Sequence, residues 1–270
     1  VIPVPMVGRA GELAEIVGVW SHLAKAPRAV VLTGDAGLGK SRLIETAIKE
    51  LSPVPAIVLK GTARLHSPAP YDWLASIVAN ASPAGLDIPA DAWAWLAQDP
   101  DVPKERYAPS ALLRLAARIV RQLAGSGPAV IVVDDLHALD PASLNLIGEL
   151  ATSQELPALL LVASRQPETE LVARTIARLA GTAGAIRQHL APLPPSNVDA
   201  ILKGHYRELP AGLAEKVWER TQGNPYWLSE LMAAVAGAPP HELLTAPLPA
   251  HLHLTAPAGL TAREQEVLSF

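Results

Sequence analysis

The chain has no cysteine among its 270 residues. Disulfides, thiolate metal sites and cysteine nucleophiles are thereby excluded. No apolar run approaches the roughly 18 residues that a membrane-spanning helix needs. The opening, VIPVPMVGRAGEL, has no basic region ahead of an apolar core and does not start with methionine. The expectation is a trimmed chain with no span and no secretory leader, located in the cytoplasm. An excess of positive charge is missing too, the net charge being −4. DNA-binding domains that stand alone are usually basic, so nucleic acid is not the default partner of this stretch. Low-complexity tracts and internal repeats are also absent, because the 26 prolines and 18 glycines are spread between periodic segments.

What is present suits a folded domain. Half the residues are hydrophobic and 18% are charged, and the length allows one large domain with a small one beside it. Leu13, Ile16, Val17, Trp20 and Leu23 recur at helical spacing. Residues 29–33, 56–60, 129–135 and 158–165 read as buried strands, and 185–190 as a weaker fifth. Helices are expected between them, one capped by Ser110 and another opening at Asp140 and Pro141. The run DIPADAWAWLAQDPDVP is expected to be irregular. Uniformly apolar strands alternating with helices imply a parallel five-stranded sheet in an α/β fold, with helices on both faces. After Pro194 the periodicity is helical only. The expected domains are therefore 1–190 for the α/β part, 191–236 for a small helical lid, and 237–259 for a Pro-rich linker.

One motif carries the chemistry. Gly34-Asp35-Ala36-Gly37-Leu38-Gly39-Lys40-Ser41, followed by Arg42, fits G-x-x-x-x-G-K-[ST] between a buried strand and an amphipathic helix. Glycines there let backbone N–H groups turn inward around phosphate oxygens at the positive end of a helix dipole. Lys40 is expected to reach the β- and γ-phosphates of ATP, and the Ser41 hydroxyl to hold Mg²⁺. Asp134 and Asp135 end an apolar strand, where open α/β sheets bind ligands. Asp134 is read as the Mg²⁺ carboxylate, and Asp135 as the base or water-positioning group. Arg165 ends another buried strand and is read as a sensor or charge stabiliser for the γ-phosphate, against pairing with an acid such as Glu168. The stripe Arg114, Arg118 and Arg121 reads as a solvated face before an arginine finger. Trp73, Trp93, Trp95 and Trp227 are expected in cores before base stacking, and the histidines, His137 included, lack metal-ligand spacing.

Together these stretches resemble the STAND class of AAA+-like P-loop ATPases, and within it the large ATP-binding LuxR-type transcriptional regulators. The resemblance is carried by VGRAGEL (7–13), GDAGLGKSRL (34–43), VVDDLHALDPASL (132–144), LLLVASR (159–165) and GNPYWLSEL (223–231). It implies that Val7, Gly8 and Arg9 line the adenine pocket and that Pro225, in the small domain, closes on the nucleotide. It also implies a sheet in which the fourth strand lies between the first and third. LTAREQEVLSF (260–270) resembles the start of a LuxR-type helix-turn-helix, Thr261 and Glu264 forming a capping box. Only its first helix fits within the chain. The implied function is a slowly hydrolysing ATP/ADP switch that controls a DNA-binding module, with assembly of copies on ATP binding. Two alternatives stand beside it: an AAA+ ATPase acting on replication or transposition complexes, and a nucleotide-binding scaffold that does not hydrolyse.

Overall fold

The computed structural model describes residues 6–23, 25–62, 69–79, 81–99, 101 and 107–248. The helix-turn-helix start at 260–270 lies outside the described residues. The described residues divide into two compact units, one within residues 9–191 and one of residues 6–8 with 192–248.

The larger unit is built on five parallel strands: β1 (Arg28–Thr33), β2 (Ile57–Gly61), β3 (Ala129–Val133), β4 (Ala158–Ser164) and β5 (Ile186–His189). Their order is β2-β3-β4-β1-β5, which places β4 between β1 and β3 as the resemblance implies. Register aligns Thr33 with Ser164 and Val133 with Val162. The ends of β1, β3 and β4 therefore lie side by side. Residues 129–133 and 158–164 are buried throughout. Such strands cannot face water on either side, so both faces of the sheet need helices.

Those helices are α1 (Ala10–Ser21), α2 (Lys40–Glu50), α3 (Asp72–Val78), α4 (Ala90–Leu96), α5 (Pro109–Ala124), α6 (Pro141–Ala151) and α7 (Glu170–Ala180). Val31, Ile131, Val133, Leu160 and Val162 join side chains of α3, α5, α6 and α7 in one core. Helices α1 and α2 pack together and against β1, β4 and β5. Trp73 is fully buried and donates its indole N–H to the Val132 carbonyl at 3.2 Å. It is a core residue, as expected for its type.

Two expectations need correction here. Helix α4 stands inside the run expected to be irregular. Pro89 takes its N-cap position, where its fixed φ and missing N–H do no harm, and Ala92 and Leu96 are buried. Helix α5 begins at Pro109 with Ala108 as its N-cap, so Ser110 lies inside the first turn and does not cap it.

The smaller unit contains α8 (Pro195–His205), α9 (Leu213–Thr221) and α10 (Pro225–Ala234). Val198, Ile201, Leu202, Val217, Leu228 and Leu231 meet in its core. The described part of the expected linker, 237–248, is not extended chain. It holds a 3₁₀ turn at Pro240–Leu244 whose Leu243 is buried in that core. Arg220 secures it, donating to the Leu243 carbonyl and to the Ala246 carbonyl at 2.7 Å. Among the described residues no helix is long and apolar enough to cross a membrane.

Candidate functional site

The loop between β1 and α2 turns on glycine. Gly39 occupies the N-cap of α2 at φ +87°, a left-handed conformation that L side chains rarely adopt. At Gly34 a Cβ would stand 2.7 Å from the Leu190 carbonyl oxygen. The loop thus lies tight against the end of β5 and still presents backbone at the start of a helix.

Lys40 is the first residue of α2 and only 7% exposed. Its Nζ donates to the Gly34 and Asp35 carbonyls, both at 2.8 Å. Burial lowers its pKa from the ordinary 10.5; Asp135, Asp134 and Asp35 oppose that shift and Arg165 adds to it. These charges are gathered around one ammonium. A buried cation at a helix N-terminus is at the unfavourable end of the dipole, so the site suits a polyanion that meets ammonium and backbone N–H groups together.

Asp134 and Asp135 follow β3. Asp134 is half-buried, and its Oδ1 accepts the Asp135 N–H at 3.1 Å. Asp135 is exposed, with φ +51°. The chain then forms a 3₁₀ turn at Leu136–Ala138, held down by the buried Leu136. Nδ1 of His137 accepts the Arg165 backbone N–H at 3.3 Å and stands 3.9 Å from Asp135 Oδ1. Burial lowers the His137 pKa below 6.5, with Arg165 and Lys40 acting in the same direction and Asp135 and Glu168 against it. His137 lies within the 132–144 stretch, but its bond has no sequence signature because its partner is a main-chain amide.

Asp140 has a structural task. Its carboxylate caps α6, accepting from the Ala142 and Ser143 N–H groups at 2.9 Å and from the Ser143 hydroxyl at 2.5 Å. It also accepts from the Tyr71 and Asp72 N–H groups at 3.1 and 3.2 Å, where α3 starts. One carboxylate joins two helix beginnings. Burial and this carboxylate push the Tyr71 hydroxyl up to about 12.

The structure therefore brings Lys40, Asp134, Asp135 and Arg165 to one end of the sheet. Ser41 and Arg42 are exposed on the first turn of α2, and Leu38 is buried beneath the loop. Arg9 stands just before α1, where it pairs with Glu12 at 3.0 Å and donates to the Ala191 carbonyl at 2.5 Å. Val7 packs on the core of the smaller unit, and Gly8 backs onto Asn197 there. Pro225 opens α10, whose N-cap Asn224 accepts the Tyr226 N–H at 3.0 Å. Arg118 pairs with Asp87, consistent with a solvated face. Among the described residues no three His, Asp or Glu side chains converge to cage a metal. Mg²⁺ arriving with a nucleotide needs no such cage, since one or two protein oxygens and phosphate oxygens suffice. Asp134 and Ser41 fit that donor set.

A family model described as an AAA ATPase domain matches residues 5–162. The chain is 27% identical over 270 aligned residues to an uncharacterized protein of Rhizobium meliloti (strain 1021), the match covering 84% of this chain and 25% of that protein. It spans about a quarter of the length of that curated relative. Among solved structures it is similar to the ORC2 protein of Aeropyrum pernix, solved as ADPNP–ADP complexes. The identity there is 16%, the TM-score 0.58, and coverage 97% of this chain and 71% of that one. It is also similar to a STAND protein with a tetratricopeptide repeat sensor from Pyrococcus horikoshii, at 16% identity and TM-score 0.51, covering 88% of this chain and 31% of that one.

Proposed function

The chain belongs to the AAA ATPase domain family, and on that premise we propose that it binds ATP and ADP with Mg²⁺ at the 34–42 loop and hydrolyses ATP slowly. The observation that carries this reading is the buried Lys40 ammonium at the N-terminus of α2, with Asp134, Asp135 and Arg165 around it. Lys40 and the backbone of residues 34–41 bind the phosphates. Ser41 and Asp134 hold Mg²⁺, which when bound shields the charge on the phosphate oxygens. Asp135 takes a proton from the water that attacks the γ-phosphorus, as the bond to the ADP oxygen breaks. Arg165 stabilises the charge on the departing phosphoryl group. Val7, Gly8, Arg9 and Pro225 are assigned to the nucleotide by the resemblance stated above. Calorimetry with MgATP and MgADP, joined to a phosphate-release assay, tests the reading. Saturable binding with slow turnover supports it; no binding of either nucleotide overturns it.

The finer reading is that this ATPase is the switch of a LuxR-type transcriptional regulator, with ATP controlling exposure or assembly of a DNA-binding module. Its support is the LTAREQEVL run at 260–268. In helix-turn-helix proteins the second helix reads the base edges, so DNA readout requires sequence beyond that run. Selection from a random duplex pool by the natural full-length protein, with and without ATP, tests this. Enrichment of one motif that responds to nucleotide supports the regulator, and enrichment of none overturns it.

A further inference from the structure

His137 touches both polar strand tips of the candidate site. It sits in the 3₁₀ turn after β3, and its Nδ1 accepts the backbone N–H of Arg165, the first residue beyond β4, at 3.3 Å. The same nitrogen is 3.9 Å from Asp135 Oδ1. A neutral imidazole that accepts at Nδ1 carries its proton on Nε2. We propose that His137 is a positioning residue: as an acceptor for the Arg165 N–H it ties the β4 tip to the β3 loop and so fixes Arg165 and Asp135 relative to each other.

The sheet explains why a tie is needed. β4 stays paired to β1 through Ser164, but its pairing with β3 ends at Val133 and Val162, so no ladder contact joins β3 to β4 past that level. Asp135 and Arg165 both lie past it, on separate loops, and both are exposed. Exposed loop ends are mobile unless tied. The Arg165 N–H meets the imidazole here, and the turn that bears the imidazole is anchored by the buried Leu136.

The tie has two states. Protonated at Nδ1, the ring can no longer accept from Arg165 and instead becomes a donor facing Asp135. The charges acting on it are Asp135 on its own turn, Arg165 and Glu168 from the segment after β4, and Lys40 from α2. Protonation therefore releases Arg165 and occupies the carboxylate assigned to the attacking water. A neutral ring favours turnover and a charged ring opposes it.

The effect on hydrolysis rests on the nucleotide reading above, whereas the hydrogen bond does not. The experiment accordingly has two arms on the full chain, with His137→Ala and His137→Asn. Asparagine places an amide oxygen close to where Nδ1 stands, and it does not titrate. In the first arm, hydrogen exchange without nucleotide should show faster exchange at the Arg165 amide in His137→Ala and near-native exchange in His137→Asn. Unchanged exchange in His137→Ala overturns the proposal even if the protein never binds ATP. In the second arm, His137→Ala should lower kcat by about tenfold through misplacement of the reacting groups, with the Kd for MgATP within about twofold of native. His137→Asn should restore most of kcat and flatten the acid limb of the pH–rate profile. A His137→Asn protein as slow as His137→Ala, or one that keeps the native acid limb, overturns the positioning role. If His137→Ala does not fold, His137→Asn and the native pH profile decide alone.

Discussion

Lys40→Ala isolates the phosphate-binding charge. In the free protein the ammonium makes two hydrogen bonds, to Gly34 and Asp35, each 2.8 Å long. Charge-assisted bonds contribute about 1.5–3 kcal/mol each. Against them stands the penalty for burying the cation, which is the first cause of its lowered pKa. These terms oppose each other, so the variant should fold with only a modest change in Tm. With ATP the balance differs. An ammonium has three N–H donors and the loop carbonyls take two, leaving one for a phosphate oxygen. A unit charge pair about 4 Å apart is worth roughly 4 kcal/mol at an effective dielectric of about 20. Part of that is lost when phosphate competes with the two carbonyls, leaving about 1.4–3 kcal/mol, a tenfold to roughly hundredfold change in Kd. Titration calorimetry of both proteins with MgATP reads this directly, and thermal melts confirm that the variant is folded. Equal Kd values for two folded proteins would refute the assignment of the site. A corollary concerns pH. Because the Lys40 pKa lies below 10.5, MgATP affinity should decline as pH rises through that lowered value, and Lys40→Ala should lack the decline.

Three further outcomes are expected. Asp135→Asn keeps the size of the side chain and removes the base, so ATP should still bind while phosphate release falls on the order of a hundredfold; a native rate would place the catalytic role elsewhere. Asp140→Ala leaves the Tyr71, Ala142 and Ser143 N–H groups and the Ser143 hydroxyl without that acceptor, while the Asp72 N–H keeps the Ala69 carbonyl at 3.2 Å. Urea denaturation should show a loss of about 2–4 kcal/mol, and a loss below about 1 kcal/mol would mean the two helix ends find other partners. His137 has a folded pKa below its ordinary 6.5, so above pH 6.5 it places no pH slope on stability. Between 6.5 and the lowered folded value the unfolded chain binds the proton and the folded protein does not. Stability should therefore fall as pH falls across that interval and level off beneath it. Denaturant titrations of the native protein and His137→Asn at several pH values should differ by this slope.

The central strands β3 and β4 were legible because burial on both faces leaves few polar positions to blur the pattern. Residues 129–133 and 158–163 are apolar at every position, and the observed strands end within a residue or two of that reading. Helix α4 was hidden by Pro and Asp in its surroundings. Those residues sit at Pro89 and Asp91, in the N-terminal turn where they are compatible with a helix, and burial of Ala92 and Leu96 stabilises it. Ser110 illustrates a cap displaced by its neighbour. Pro109 takes the first helical position, which leaves serine no cap to make. The stretch 237–248 reads as a linker because Pro239, Pro240 and Pro247 interrupt any helical or strand periodicity. One leucine, Leu243, together with the distant Arg220, attaches it to the helical core, and pairings between distant residues have no local signature. At the site, the glycine-lysine loop and the paired aspartates were readable as motifs. Convergence of Asp135 and Arg165 on Lys40 depended on strand order, and spacing along the chain does not encode strand order.

Two buried charges show how structural and functional roles separate on physical grounds. Asp140 and Lys40 are both less than a tenth exposed, and both stand at helix beginnings. A helix N-terminus carries partial positive charge and unpaired N–H groups. Asp140 matches that environment in sign and in hydrogen-bonding sense, and the amides at the starts of α3 and α6 share its two oxygens. An arriving ligand has nothing to complete there. Lys40 opposes the same kind of environment in sign, and as a donor it cannot satisfy the amides of α2. It bonds instead to the Gly34 and Asp35 carbonyls of its own loop, so its positive charge and its third N–H stand at the positive end of the helix. A phosphate oxygen bound there would meet that charge and that N–H together. The sign mismatch at Lys40 favours an anion at this helix start, and on that physical ground the proposed nucleotide site rests.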